Sequence, residues 1–180
     1  MNSLTELEAA ALGCVYRSEP CTGHFVRTQF RNSPAARFSN SAGSIYPVMK
    51  RLHSRRFLKC RLIREGKRKV RYYECTPAGR AALKEWIGPP LTEDAGVTID
   101  PLRTRMLYLK LLTPRRRIQW LDAARQCLEQ KLAVLRSREI AEASGDLFHE
   151  LAHDNACMEL ETRLNWIALA RRKMKRAGLV

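Results

Sequence analysis

The spacing of apolar residues changes period at Phe57, and that change does most to limit the fold. Before it, apolar residues recur every three or four positions; after it, Leu58, Cys60, Leu62 and Arg64 alternate with Lys59, Arg61 and Ile63. Strand side chains alternate between two faces, whereas helix side chains return to one face every three to four residues. A second strand-like run, Val70 to Cys75, follows Glu65-Gly66-Lys67-Arg68-Lys69, and two such runs around a glycine-containing turn predict a β-hairpin. Thr76-Pro77 then restarts helical spacing to about Ile87, with Thr as N-cap and Pro at the first helical position.

Three helices precede the hairpin. The first runs from about Leu4 to Tyr16 behind a Thr5-x-x-Glu8 capping box, with Leu4, Leu7, Ala11, Leu12 and Val15 as its apolar stripe. Ser18 to Cys21, with Pro20, is a break, and Thr22 caps a second helix to about Arg31 with Phe25, Val26 and Phe30 inward. After a polar connection, Asn32 to Asn40, a third helix spans about Ala42 to Arg55 with Ile45, Val48, Met49 and Leu52 inward. Pro47 falls in its first turns, where a missing N–H costs less. Helix, helix, helix, hairpin, helix is the order of a winged helix-turn-helix, expected over residues 1–88 of a mainly α chain.

Gly88-Pro89-Pro90 ends that unit, and residues 89–100 read as a linker. Residues 101–180 read as a helical dimerisation domain: a short helix to about Leu112, a long one from Thr113-Pro114 to about Ala143, and another from about Gly145 to Arg176. Ile118, Leu121, Leu128, Leu132 and Leu135 form a stripe on the long helix, and Leu160, Leu164 and Ile167 one on the last. A single antiparallel pair does not bury every apolar face of such helices, so these stripes predict a homodimer seam. Trp120 and Trp166 are core residues or the lining of an effector pocket at that seam.

Charge is unevenly shared. The chain carries +15 at pH 7; residues 1–87 hold 17 basic and 6 acidic side chains, and residues 88–180 hold 16 and 12. Lys50 to Arg71 alone contains eleven Lys or Arg and one acid, Glu65. Ordered along a helix and a hairpin, such a run suits a polyanionic groove, because each cation that meets a phosphate releases a condensed counterion. A membrane-surface helix fits poorly, since the charge lies on a hairpin as well. No apolar run approaches membrane-spanning length, and MNSLTELEAAAL lacks the basic start of a secretory signal. The six scattered cysteines accordingly read as reduced, mostly buried thiols in the cytosol.

Two motifs compete with a DNA-binding reading. His149-Glu150-Leu151-Ala152-His153 matches the H-E-x-x-H zinc-peptidase pattern, but no histidine follows it. Cys157 is eight residues from His149, about 12 Å along a helix, too far to complete the site. No metal, cofactor or catalytic residue is therefore expected. Cys60 and Cys75 are symmetric in number about a turn between Lys67 and Arg68, so they read as cross-strand neighbours, two buried thiols or a redox pair.

The string Ser41-Ala42-Gly43-Ser44-Ile45-Tyr46-Pro47-Val48-Met49-Lys50-Arg51-Leu52, with Arg71-Tyr72-Tyr73-Glu74-Cys75-Thr76-Pro77-Ala78-Gly79-Arg80, resembles the PadR family of bacterial transcription regulators. The resemblance is strong over residues 4–87 and weaker over 101–170. It departs from the family pattern at Cys75, where an aliphatic is usual, and at Gly23-His24-Phe25. It implies that the third helix enters the major groove, with Ser39, Ser41, Ser44 and Tyr46 at its start and Lys50 one turn later. The wing tip, Lys67, Arg68 and Lys69 with Arg71 behind, would meet the minor groove or its phosphate walls. Tyr46 is also readable as a core aromatic, Arg55 and Arg56 as helix-end cations, and one of Tyr72 and Tyr73 as core. Expected partners are double-stranded DNA, a second copy and a small-molecule effector, with no membrane; the setting is the cytoplasm, at the nucleoid. A non-specific architectural or RNA-binding protein is the alternative to a repressor acting on a palindrome.

Overall fold

A computed structural model describes residues 4–33, 41–66, 68–89, 96, 100–141 and 146–180. The chain divides into two units, Met1–Gly96 and Val97–Val180. The first contains α1 (Glu6–Ser18), β1 (Cys21–Thr22), α2 (Gly23–Arg31), a 3-10 turn (Ala42–Ser44), α3 (Ile45–Ser54), β2 (Leu58–Glu65), β3 (Arg68–Cys75) and α4 (Pro77–Ile87). The expected linker falls mainly on residues outside those described.

Threonines set three helix starts. Thr5 Oγ1 accepts the Glu8 N–H at 3.3 Å while Glu8 Oε2 accepts the Thr5 N–H at 3.2 Å, closing the capping box. Thr22 and Thr76 cap α2 and α4 through the N–H groups of Phe25 and Gly79, at 3.1 and 3.0 Å. One core joins these elements: Leu12, Val15, Val26, Ile45, Val48 and Leu52 are wholly buried in it, with Leu58 and Cys75 from the base of the wing. Burial pushes the thiols of Cys14 and Cys75 up to about 11 and that of Cys21 up to about 12, so all three are neutral fillers at neutral pH.

The sheet runs β1-β3-β2, all antiparallel. Its third strand, β1, is too short at two residues to show a period, and it pairs Cys21 with Tyr73 and Thr22 with Tyr72. The hairpin register also differs from the sequence expectation. Gly66 adopts φ +60 and Glu65 pairs with Arg68, so Cys60 faces Tyr73 and Cys75 faces Leu58. Cys60 and Cys75 are therefore not cross-strand neighbours, and the redox pair they suggested is withdrawn.

Two contacts fix α3. Glu8, buried at 5% exposure, accepts Arg51 Nε on Oε1 and Arg55 Nη1 on Oε2, each at 3.1 Å. Burial alone would raise its pKa, but the Thr5 N–H and the two guanidinium groups outweigh it and hold the carboxyl below its ordinary 4.5. At the other end, the Phe57 N–H donates to Leu52 O at 2.9 Å, and Phe57 O accepts the Thr76 N–H at 3.0 Å. Gly79 packs so closely on this turn that a Cβ there would lie 2.2 Å from Phe57 O.

The second unit contains α5 (Pro101–Met106), a 3-10 turn (Leu109–Leu111), α6 (Pro114–Ala141) and α7 (Leu147–Arg176). The α6–α7 pair is antiparallel: Asp122 bonds Arg171 near one end, and Arg136 meets Glu161 at 2.5 Å towards the other. Leu121, Ala124, Leu128 and Ile167 form its core, with Leu102 and Met106 of α5 packed against them. No helix among the described residues is long and apolar enough to cross a membrane.

Gly79→Ala is expected to destabilise the first unit by about 1–3 kcal/mol, since a backbone oxygen is harder to displace than a side chain. A denaturation midpoint equal to wild type would refute the close approach. Glu8→Gln is expected to cost about 1–3 kcal/mol at neutral pH. Because the folded-state pKa is depressed, this contribution is full above pH 4.5 and fades as pH falls through the folded value. Denaturation curves for wild type and variant should therefore converge in acid, and a constant gap would sink the assignment.

Candidate nucleic-acid interface

α3 buries Ile45, Val48, Met49 and Leu52, so helical geometry turns the intervening residues outward. Ser44, Tyr46 and Lys50 are exposed there, and Ser41 is half-buried, its carbonyl accepting the Ser44 N–H at 2.9 Å. Ser39 lies outside the described residues. Pro47 is the third residue of α3, where a backbone N–H has no intrahelical acceptor to lose. Tyr46 is 51% exposed rather than core, and its ring lies against α2, with Cε1 3.3 Å from where a Gly23 Cβ would sit. Gly23 thus braces an aromatic at the head of α3. Arg55 has a structural role: besides bonding Glu8, its guanidinium lies 4.6 Å from the Phe57 ring centroid.

The wing separates its charges by pleat. On the core-facing side, Leu58 faces Cys75 and Cys60 faces Tyr73; the same face continues to Leu62 with Arg71 and Arg64 with Lys69. The other face pairs Lys59 with Glu74, Arg61 with Tyr72 and Glu65 with Arg68. Both acids of the hairpin lie on that second face. Glu74 takes Lys59 at 2.6 Å and Arg61 at 3.5 Å, and those cations hold its carboxyl below the ordinary range. Glu65 accepts the Tyr72 hydroxyl, which raises the phenol's pKa. Tyr73, by contrast, packs against the core.

Arg64, Lys69 and Arg71 are exposed and form no ion pair among the described residues; Arg64 Nε donates to Gly66 O at 3.3 Å. They form one acid-free face beyond the core. Arg68, expected beside them, is exposed on the opposite face, and Lys67 lies outside the described residues. Arg64 was not among the expected contacts; parity along β2 was the available signal, since it shares a face with Leu58 and Cys60.

In the second unit, the expected seam is largely occupied within one chain. Leu121, Leu128 and Ile167 are core, Leu160 and Leu164 pack against them, Leu132 and Leu135 are buried, and Ile118 is half-buried. Trp120 and Trp166 pack on the same cluster. Apolar surface is left open at Leu147, Phe148 and Leu151 in the first turns of α7, with Phe148 82% exposed, and also at Leu107, Tyr108 and Leu111 around the 3-10 turn, with Leu111 86% exposed. Among the described residues no group of three or more His, Cys, Asp or Glu could hold a metal. His153 Nε2 lies 3.5 Å from Cys157 Sγ, one turn along.

Residues 12–85 match the family described as Transcriptional regulator PadR-like. No curated protein matches the chain by sequence. Among solved structures, a PadR-like transcriptional regulator of Bacillus cereus aligns with a TM-score of 0.77 at 17% identity, over 97% of each chain. PadR of Bacillus subtilis in complex with operator DNA aligns at 0.77 and 21% identity, over 94% of this chain and 97% of its own. The same protein with p-coumaric acid gives 0.72 at 21%, over 94% and 98%. The virulence activator AphA of Vibrio cholerae gives 0.65 at 18% identity, over 96% and 98%. At these identities the structures speak for the fold, and the sequence match covers residues 12–85 of the 180. Residues 12–85 are thus similar in sequence to the PadR-like family of transcriptional regulators, and the fold is similar to that of solved PadR-like structures.

Proposed function

We propose that the protein is a homodimeric, sequence-specific DNA-binding regulator that acts as a repressor on a palindromic operator. The observation that carries this reading is the acid-free face of Arg64, Lys69 and Arg71 on a wing whose first unit also presents the exposed head of α3. In this reading α3 enters the major groove, Ser41, Ser44 and Tyr46 set register, and Lys50 and the wing cations grip phosphates. The first turns of α3 contain no Arg or Asn for bidentate base reading, so DNA shape supplies part of the specificity.

The open apolar side chains at the start of α7 support a second copy, because a patch of that kind is costly to leave in water. Two copies would engage half-sites about one helical turn, roughly 34–36 Å, apart. A small-molecule effector, of the class that Bacillus subtilis PadR binds in its crystal structure, belongs to the same proposal. Such a protein works in the cytoplasm, at the nucleoid. The alternative is an architectural protein that uses the same cations without base preference.

Footprinting on the DNA flanking its own gene, set against affinity for random duplex, separates the two readings. Protection of one palindrome supports the regulator, and equal affinity for all duplexes rejects it. Replacing Arg64, Lys69 and Arg71 by Gln is expected to weaken binding to all sequences alike and to flatten log K against log salt by about two units. An unchanged slope would remove the wing from the interface.

A further inference from the structure

The modest net charge of the second half conceals a strong separation. Residues 101–117 and 171–180 contain eleven Lys or Arg and no Asp or Glu, whereas in the rest of residues 88–180 twelve acids outnumber five bases. The structure brings the two basic segments together. Arg117 donates from Nε to Leu109 O at 3.1 Å, from Nη2 to Lys110 O at 3.0 Å and from Nη1 to Leu179 O at 2.8 Å. One guanidinium therefore clips the 3-10 turn, the start of α6 and the chain end beyond α7 into one surface. Met106 of α5 and Met174 of α7 pack on the same core beneath it.

Six cations stand exposed on this surface: Lys110, Arg115, Arg116, Lys173, Lys175 and Arg176. None forms an ion pair with a described residue; the nearby acids are engaged, Asp100 by Arg163 and Asp122 by Arg171. Helix stability accounts for only half of the set. Lys173, Lys175 and Arg176 suit the negative end of the α7 dipole, but Arg115 and Arg116 stand at the positive end of α6 and oppose it.

We infer that this end of the second unit is a second contact surface for the phosphate backbone of double-stranded DNA, separate from the winged helix and indifferent to sequence. It rests on the proposed function only for the identity of the polyanion. Six open cations on three clipped segments offer several counterion-releasing contacts. Carried on a chain that already holds a duplex, even weak contacts act at high effective concentration.

The test uses the full-length protein with Arg115→Gln, Arg116→Gln and Lys175→Gln together, and random-sequence duplex as the probe. These side chains are exposed and form no side-chain hydrogen bond or ion pair among the described residues, so the fold should hold, as circular dichroism would check. The expected result is a salt slope flatter by about two units, added to the loss from the wing triple variant. An unchanged slope beside a flattened wing-variant slope overturns this inference and leaves the proposed function standing. A flattened slope here with none from the wing variant supports it and overturns the wing contact. Dissociation of a dimer in the variant would make the surface a subunit interface. Binding to phosphatidylglycerol vesicles that only the wild type shows, with equal DNA slopes, would make it a lipid contact; either outcome overturns the inference.

Discussion

The buried carboxylate of Glu8 is the joint on which the first unit depends. Taking a carboxylate out of water is costly unless its oxygens are fully engaged. Here Oε2 accepts both the Thr5 N–H and Arg55, and Oε1 accepts Arg51. One side chain thus closes the N-terminus of α1 and anchors the last turns of α3. Because Ile45, Val48, Met49 and Leu52 fix the inner face of the same helix, both its rotation and its position along α1 are set. The outward direction of Tyr46 and Lys50 follows from that, since no other choice of exposed face satisfies both constraints.

The second joint is the turn at Arg56 and Phe57. Arg56 adopts φ +60, an unusual conformation for a residue other than glycine, and its carbonyl accepts the Thr76 hydroxyl at 2.7 Å. With Phe57 bonded to both Leu52 and Thr76, α3, the base of the wing and α4 meet within a few residues. Glu19 closes the far side, accepting the Cys75 N–H at 2.6 Å and bonding Arg80. The wing therefore leaves the core from a pinned base. Its cations are thus held at fixed register from that base.

What the sequence made legible were features with a repeat or a local signature. The helix stripes, the Thr caps and the change of period at Phe57 each occupy enough residues to be read, and all appear in the structure. Features that depend on contacts across the chain were not legible. β1 is two residues long and exists only through Tyr72 and Tyr73; the hairpin register turned on which residue took the left-handed conformation. The heptad-like stripe of α6 showed correctly that Leu121 and Leu128 are inward, but an apolar stripe does not say whether its partner is the same chain or another. Glu8 was visible only as a cap, because its bonds to Arg51 and Arg55 cross more than forty residues.

The basic run from Lys50 to Arg71 is not one patch, and its few acidic neighbours explain why. Glu8 engages Arg51 and Arg55, and Glu74 engages Lys59 and Arg61, so four of the eleven cations serve the fold or neutralise one face of the wing. Pleat parity then decides the remainder. A strand alternates its faces with every residue, so Glu65 and Glu74, nine positions apart in sequence, share a face across the hairpin while Arg64, Lys69 and Arg71 share the other. Moving either acid by one residue would place it among those three cations and cancel the local field without changing the net charge. Composition therefore predicts a polyanion partner but not a docking direction. Which cations share the acid-free face follows from the register, and the register is set by Gly66 at the turn and by the burial of Leu58 and Cys75 at the base.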